Sequence, residues 1–246
     1  MARIRAVLFD IDGTLLDSNE AHAHAWLDAL RGHGIDVPYD LMRSKIGMGG
    51  DKVLKEVAGI DHESVQGKLI TERRNAVFKA LYLPDTGPLP GARSLVERLR
   101  NRGLKRAVVT SAGSAELADL LREAAVASLF DVEIAGDDGG ATKPDPDLVK
   151  LALEKLEVGP REAVMIGDTP YDIAAAARAG VSTIAFRSGG WKDADLDGAL
   201  AIYDHPQDLL SRIEQSPLAL GVDDTVPALA TRRSGRVRRP AAGGEL

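Results

Sequence analysis

The stretch FDIDGTLLDSN, Phe9 to Asn19, decides how the rest of the chain is read. An apolar run, Ala6-Val7-Leu8-Phe9, leads straight into two carboxylates, Asp10 and Asp12, one residue apart, and Gly13-Thr14 follows. Two like charges that close raise the pKa of one of them unless a cation or a proton offsets the other. What offsets them must come from elsewhere in the chain.

Outward from this stretch, short apolar runs of the same kind recur at Ala107-Val108-Val109, Val132-Glu133-Ile134-Ala135, Ala163-Val164-Met165-Ile166 and Ser182-Thr183-Ile184-Ala185. Helical patterns at 91–102, 114–125, 145–157 and 170–179 separate them. Strands alternating with helices predict an α/β fold, a doubly wound parallel sheet covered on both faces. Residues 18–86 break the alternation, with helical stretches near 19–33, 38–45, 50–58 and 61–82 and no convincing strand. Turn-rich junctions at Leu16-Asp17 and Pro84-Asp85-Thr86-Gly87-Pro88 bound this segment. The expected organisation is a core from 1–16 and 87–215, an inserted α-helical domain over 17–86, and a tail from 216 to 246. Residues 187–210 read as a loop, a short helix, a short strand at Ala201-Ile202-Tyr203 and a closing helix.

Composition narrows the function. The chain has 246 residues, 44 % hydrophobic and 28 % charged, as in ordinary globular proteins. It has no cysteine, which excludes disulfides, thiolate nucleophiles and thiolate metal sites. No apolar run is long enough to predict a membrane span, and the N-terminal one is too short for a signal peptide, so a cytoplasmic location is expected. The net charge is −6, but residues 231–246 carry five arginines against one acid, which leaves the remaining chain at −10. An acidic body argues against a nucleic-acid surface on the folded part. The tail reads as disordered; a weak, non-specific contact with RNA or acidic lipid stays open for it.

In a doubly wound sheet, ligands bind beyond the carboxyl ends of the strands. After the first strand come Asp10 and Asp12; after the second, Thr110 and Ser111; within the loop after the third, Lys143; after the fourth, Asp168 and Asp172. Several carboxylates offset one another around Mg²⁺, a cation that takes oxygen ligands and keeps waters for a phosphate. One carboxylate can attack phosphorus while another handles protons. Thr110 can donate to phosphate oxygens, and Lys143 adds a compact positive charge. Each residue also has a plainer reading. The aspartates, Thr110, Ser111 and Ser114 can cap helices, Lys143 can lie on the surface, and Asp172 can support the turn at Thr169-Pro170.

DIDGT, VVTS, Lys143-Pro144 and GDTPYD, in that order, resemble the haloacid-dehalogenase-like superfamily of aspartate-nucleophile phosphatases over residues 4–210. The resemblance implies Asp10 as nucleophile and Asp12 as general acid/base whose backbone carbonyl also meets the metal. It implies Thr110 and Lys143 as phosphate-binding residues and Asp168 as a metal-binding acid, with Asp172 supporting the metal site. The DxDGT form implies phosphate rather than halide chemistry. Some relatives carry a cis bond where Lys143-Pro144 stands.

The helical insertion is similar to that of the phosphoglycolate-phosphatase and β-phosphoglucomutase branch. DSNEAHAHAW, residues 17–26, resembles the mutase side, which implies that His22 contacts the acid/base aspartate. His22 and Trp26 are also i, i+4 neighbours that can simply share a helix face. SKIGMGGDKVL, residues 44–54, departs from the mutases, with Gly49-Gly50 where they carry an arginine for a second phosphate. The glycine pair instead offers backbone amides near the substrate, and Lys45 and Lys52 could replace the charge or lie on the surface. Trp191 lines the cleft or packs beside it. The expectation is a Mg²⁺-dependent phosphatase of a small phosphorylated metabolite, with a sugar-phosphate mutase as the alternative.

Overall fold

The computed structural model describes residues 3–221. Six strands form one sheet in the order β3-β2-β1-β4-β5-β6: β1 (Ala6–Phe9), β2 (Lys105–Val109), β3 (Val132–Ile134), β4 (Ala163–Gly167), β5 (Ser182–Phe186) and β6 (Ala201–Tyr203). All neighbouring pairs are parallel. β1 is central, with Phe9 in register with Val108 on one side and Ile166 on the other. The chain winds outward from β1 in one direction and then restarts at β4 in the other, so the strand order reverses beside β1, where such sheets form their crevice.

Because side chains alternate along a strand, the sheet has two apolar faces. Val7, Phe9, Val108, Val164 and Ile166 face α5 (Ala92–Asn101), α6 (Ser114–Glu123) and α9 (Pro206–Ser211). Ala6, Leu8, Ala107, Val109 and Met165 face α7 (Asp147–Leu156) and α8 (Pro170–Arg178). The near-continuous apolar reading of each strand follows from burial on both sides.

The segment between β1 and α5 is helical: α1 (Asn19–Arg31), α2 (Tyr39–Arg43), α3 (Gly50–Ala58) and α4 (Val65–Val77). Its residues Trp26, Leu30, Met42, Leu54 and Ile70 form an apolar cluster of their own. The sequence reads 61–82 as one helix; α4 instead ends at Val77, a wider helical turn covers Phe78–Tyr82, and a tight turn at Leu83–Asp85 includes Pro84. The chain enters and leaves this insertion side by side, with Asp17 N–H donating to Gly87 O at 2.9 Å and Leu89 N–H to Leu15 O at 2.9 Å.

Two expectations at the C-terminal end need correction. No helix forms between Arg187 and β6 beyond one short turn at Arg187–Gly189. The sequence reading starts the tail at 216, whereas Ser216 and Leu218 are buried and Leu218 belongs to the core over β1. The five-arginine segment lies outside the described residues. Among the described residues no helix is long and apolar enough to cross a membrane.

Candidate active site

Asp10 is the first residue beyond β1, and its N–H still donates to Ile166 O at 2.9 Å. The ladder therefore fixes its backbone, and its side chain is buried. Asp168 follows β4 directly and is fully buried, accepting from Thr14 Oγ1 at 3.0 Å and Asn19 Nδ2 at 2.8 Å. Two glycines make room for it. A Cβ on Gly13, whose φ is +72°, would lie 2.1 Å from Asp168 Oδ2, and one on Gly189 would lie 2.2 Å from the same atom.

Asp172 sits in the first turn of α8 and closes a reciprocal cap with Thr169. Its Oδ2 accepts from the N–H groups of Asp168 at 3.3 Å and Thr169 at 3.1 Å, and from Thr169 Oγ1 at 2.7 Å. Its Oδ1 accepts from Lys143 Nζ at 2.8 Å. Lys143, delivered by the loop after β3 and followed by a cis bond to Pro144, also reaches Asp10 Oδ1 at 2.7 Å while being 1 % exposed.

The opening pair is thus offset in two different ways. Burial, followed by the charges of Asp172, Asp168 and Asp12, pushes the Asp10 carboxyl well above the usual range, against the pull of Lys143. Burial and Asp172 push Asp168 up to about 7. Burial opposes the charge on Lys143, but its two carboxylate partners outweigh this and hold it protonated. Asp12 turns away toward the helical insertion. Its Oδ1 meets Ser18 Oγ at 2.5 Å and His22 Nε2 at 2.7 Å. Burial would raise its pKa, yet His22, Ser18 and the Arg74 charge together lower it.

One oxygen from each of Asp10, Asp168 and Asp172 lies within 4.8 Å of the others. An all-carboxylate set whose members resist simultaneous ionisation suits a hard divalent cation such as Mg²⁺. The Asp12 side chain is not part of this group.

A cleft of about 770 Å³ opens between the sheet and the insertion, lined at its base by Asp10, Asp12, Thr110, Ser111 and Lys143. Thr110 is buried, and its Oγ1 accepts from Ala112 N–H at 3.0 Å. Ser111 Oγ is buried without a partner. His22 lines the cleft and stacks on Phe78 with centroids 4.1 Å apart. Of the glycine pair, Gly50 lines the cleft, while Gly49 caps α3 and its N–H points to Lys143 O at 3.4 Å. Neither Lys45, paired with Glu56 at 3.4 Å, nor Lys52, paired with Asp145 at 2.8 Å, is among the lining residues. Trp191 packs edge-on against Tyr171 instead of lining the cleft.

The sequence reading missed Arg74. It lies on α4, is 8 % exposed, and its guanidinium sits 4.8 Å from the Phe78 ring centroid and 2.6 Å from Glu116 Oε2 on α6. Its Nη2 also donates to His22 Nδ1, which leaves His22 Nε2 to donate to Asp12. An arginine four residues before a phenylalanine on a helix was the only local signal.

The comparisons agree with this geometry. The family model of haloacid dehalogenase-like hydrolases matches residues 4–180. A phosphoglycolate phosphatase of Nitrosospira multiformis is 33 % identical over 72 % of this chain and 80 % of its own. A phosphorylated carbohydrates phosphatase of Thermotoga maritima is 31 % identical over 74 % and 84 %. The crystal structure of a hydrolase from Pseudomonas syringae superposes with a TM-score of 0.80 at 31 % identity, covering 86 % of this chain and 98 % of that one. With the strand order, the site at the carboxyl edge and these relatives in agreement, the chain belongs to the haloacid dehalogenase-like hydrolase family and is a phosphatase.

Proposed function

We propose that the chain is a Mg²⁺-dependent hydrolase of small phosphomonoesters that works through an aspartyl phosphate on Asp10. The observation that carries this reading is the buried group of Asp10, Asp168 and Asp172 joined to Lys143 at the base of a cleft. Asp10, Asp168 and the Asp12 backbone carbonyl would hold Mg²⁺, with Asp172 supporting them. Bound there, the ion would add positive charge beside the phosphate oxygens.

Asp10 attacks phosphorus as the ester P–O bond breaks, and protonated Asp12 gives its proton to the leaving oxygen. Water then attacks the phosphorus of the aspartyl phosphate, Asp12 takes the water's proton, and the bond to Asp10 breaks to release phosphate. The hydrogen bonds from Ser18 and His22 favour ionised Asp12, the form needed for this second half. Thr110 and Lys143 hold the phosphate oxygens against the charge that builds during transfer.

The His22–Asp12 contact also favours a second reading, a sugar-phosphate mutase. That reaction needs a cation for a second phosphate. A mutase would require a bisphosphate primer and would keep phosphate on the product. The deciding assay is phosphate release from p-nitrophenyl phosphate and a panel of phosphorylated metabolites, with Mg²⁺ and with chelator. Asp10→Asn is expected to lose all release while keeping its circular-dichroism spectrum; normal turnover by that variant would reject the mechanism.

A further inference from the structure

Building on the phosphatase reading, we propose that the cleft selects phosphomonoesters whose remote end is neutral and rich in hydroxyls, and that the Arg74–Glu116 pair reads that end. The cleft of about 770 Å³ falls in the range that encloses ligands far larger than a two-carbon acid. What lines it beyond the phosphate decides which tails fit.

Among the described residues lining the cleft there are three lysines and arginines, and each is already ion-paired. Lys143 holds Asp10 and Asp172, Arg74 meets Glu116 at 2.6 Å, and Lys79 meets Asp119 at 2.6 Å. Two further acids, Asp51 and Asp137, line the same space without a lysine or arginine partner. Asp51 accepts from Thr142 Oγ1 at 2.6 Å, and Asp137 from Ser114 N–H and Oγ at 2.8 Å each. A tail carrying a carboxylate or a second phosphate meets these carboxylates and no unpaired cation.

Hydroxyls suit the same walls, because they donate to carboxylates and accept from a guanidinium. Arg74 is fixed by Phe78, by Trp26 at 5.5 Å from its ring centroid, by His22 and by Glu116. So engaged, it cannot turn its fork onto a carboxylate in the bidentate manner. Polar capacity is nevertheless left in this pair: Arg74 Nε and Glu116 Oε1 have no hydrogen-bond partner. They comprise one donor and one acceptor, which matches a hydroxyl and not an anion.

The test compares kcat/KM for the full chain with Mg²⁺ on sorbitol 6-phosphate and glucose 6-phosphate against 2-phosphoglycolate and fructose 1,6-bisphosphate, with p-nitrophenyl phosphate reporting the chemistry alone. The neutral-tailed esters are expected to lead by at least about tenfold. Glu116→Gln releases Arg74 from its partner, and Asp119→Asn does the same for Lys79 without touching Arg74. In each variant KM for 2-phosphoglycolate is expected to fall, and in Glu116→Gln KM for sorbitol 6-phosphate is expected to rise, each by about threefold or more. A structural defect would instead weaken both substrates together or lower kcat on both. Hydrolysis of p-nitrophenyl phosphate without preference for neutral tails, or with KM values unmoved in both variants, overturns the substrate class alone. Release from none of these esters overturns the phosphatase reading and this inference with it.

Discussion

Lys143 Nζ lies 2.7 Å from Asp10 Oδ1, and the lysine is 1 % exposed. A buried ammonium is tolerable only when paired, and here it also bridges to Asp172. Removing it strands carboxylates that already resist ionisation. Lys143→Met is expected to cost about 3 kcal/mol in urea unfolding without metal. Adding Mg²⁺ should restore part of that loss, while turnover stays roughly 10²–10³-fold down. Unchanged stability in the metal-free variant would show that the pair contributes nothing to the fold.

Asp12 is set apart from Asp10 by its partners, Ser18 and His22. Asp12→Ala is expected to slow turnover by about 10²–10⁴-fold. Asp12 donates a proton in the first half-reaction and accepts one in the second, and an activated leaving group such as p-nitrophenolate needs the donation less. With that ester the aspartyl phosphate should accumulate in the variant. Intact-protein mass spectrometry after acid quench would detect the added phosphate, and its absence at partial turnover would count against the assignment of the second step to Asp12.

Asp168 has its folded pKa raised from 3.8 to about 7. A carboxyl raised in the fold favours folding while both states are protonated, and that contribution is lost as pH rises from the unfolded value through about 7. Deprotonated acids are also what a cation binds. The thermal shift produced by Mg²⁺ should therefore grow from about pH 5.5 to about pH 8. A shift that stays flat across that range would mean that the ion does not compete with protons at this site.

Gly13 and Gly189 both press against Asp168 Oδ2. Gly13→Ala adds a left-handed backbone penalty of roughly 1–2 kcal/mol to the displacement of the acid. Gly189→Ala makes the displacement without a positive φ. Both variants are expected to lose the Mg²⁺-induced thermal shift, with Gly13→Ala the less stable of the two in chelator. Retained Mg²⁺ response in both would exclude Asp168 from the ion's ligands.

The middle of the sheet was legible because β1, β2 and β4 are short apolar runs followed by a chemically distinctive residue: Phe9 before Asp10, Val109 before Thr110, Gly167 before Asp168. Parallel strands bury both faces, so their pattern survives without knowledge of partners. The His22–Asp12 contact was anticipated only through the resemblance of residues 17–26 to the mutase branch. Arg74 could not, since its partners His22 and Glu116 are 52 and 42 residues away and nothing periodic links them. Thr14 and Asn19 were passed over for the same reason: their value appears only when Asp168 arrives from β4. The boundary drawn at 216 left out Leu218, which lies in the short apolar stretch Pro217-Leu218-Ala219-Leu220 and whose place only the finished core shows.

The two chain passages joined by Asp17–Gly87 and Leu15–Leu89 have a consequence for descent. A segment that leaves and re-enters a fold through adjacent, hydrogen-bonded passages of chain can be lengthened, trimmed or exchanged without altering the register of the six strands behind it. The buried acids Asp10, Asp168 and Asp172 stay with the sheet, and Arg74 and His22 travel with the insertion. On the proposed reading, the chemistry and the choice of substrate are carried by separate pieces of one chain, and each can change while the other is held.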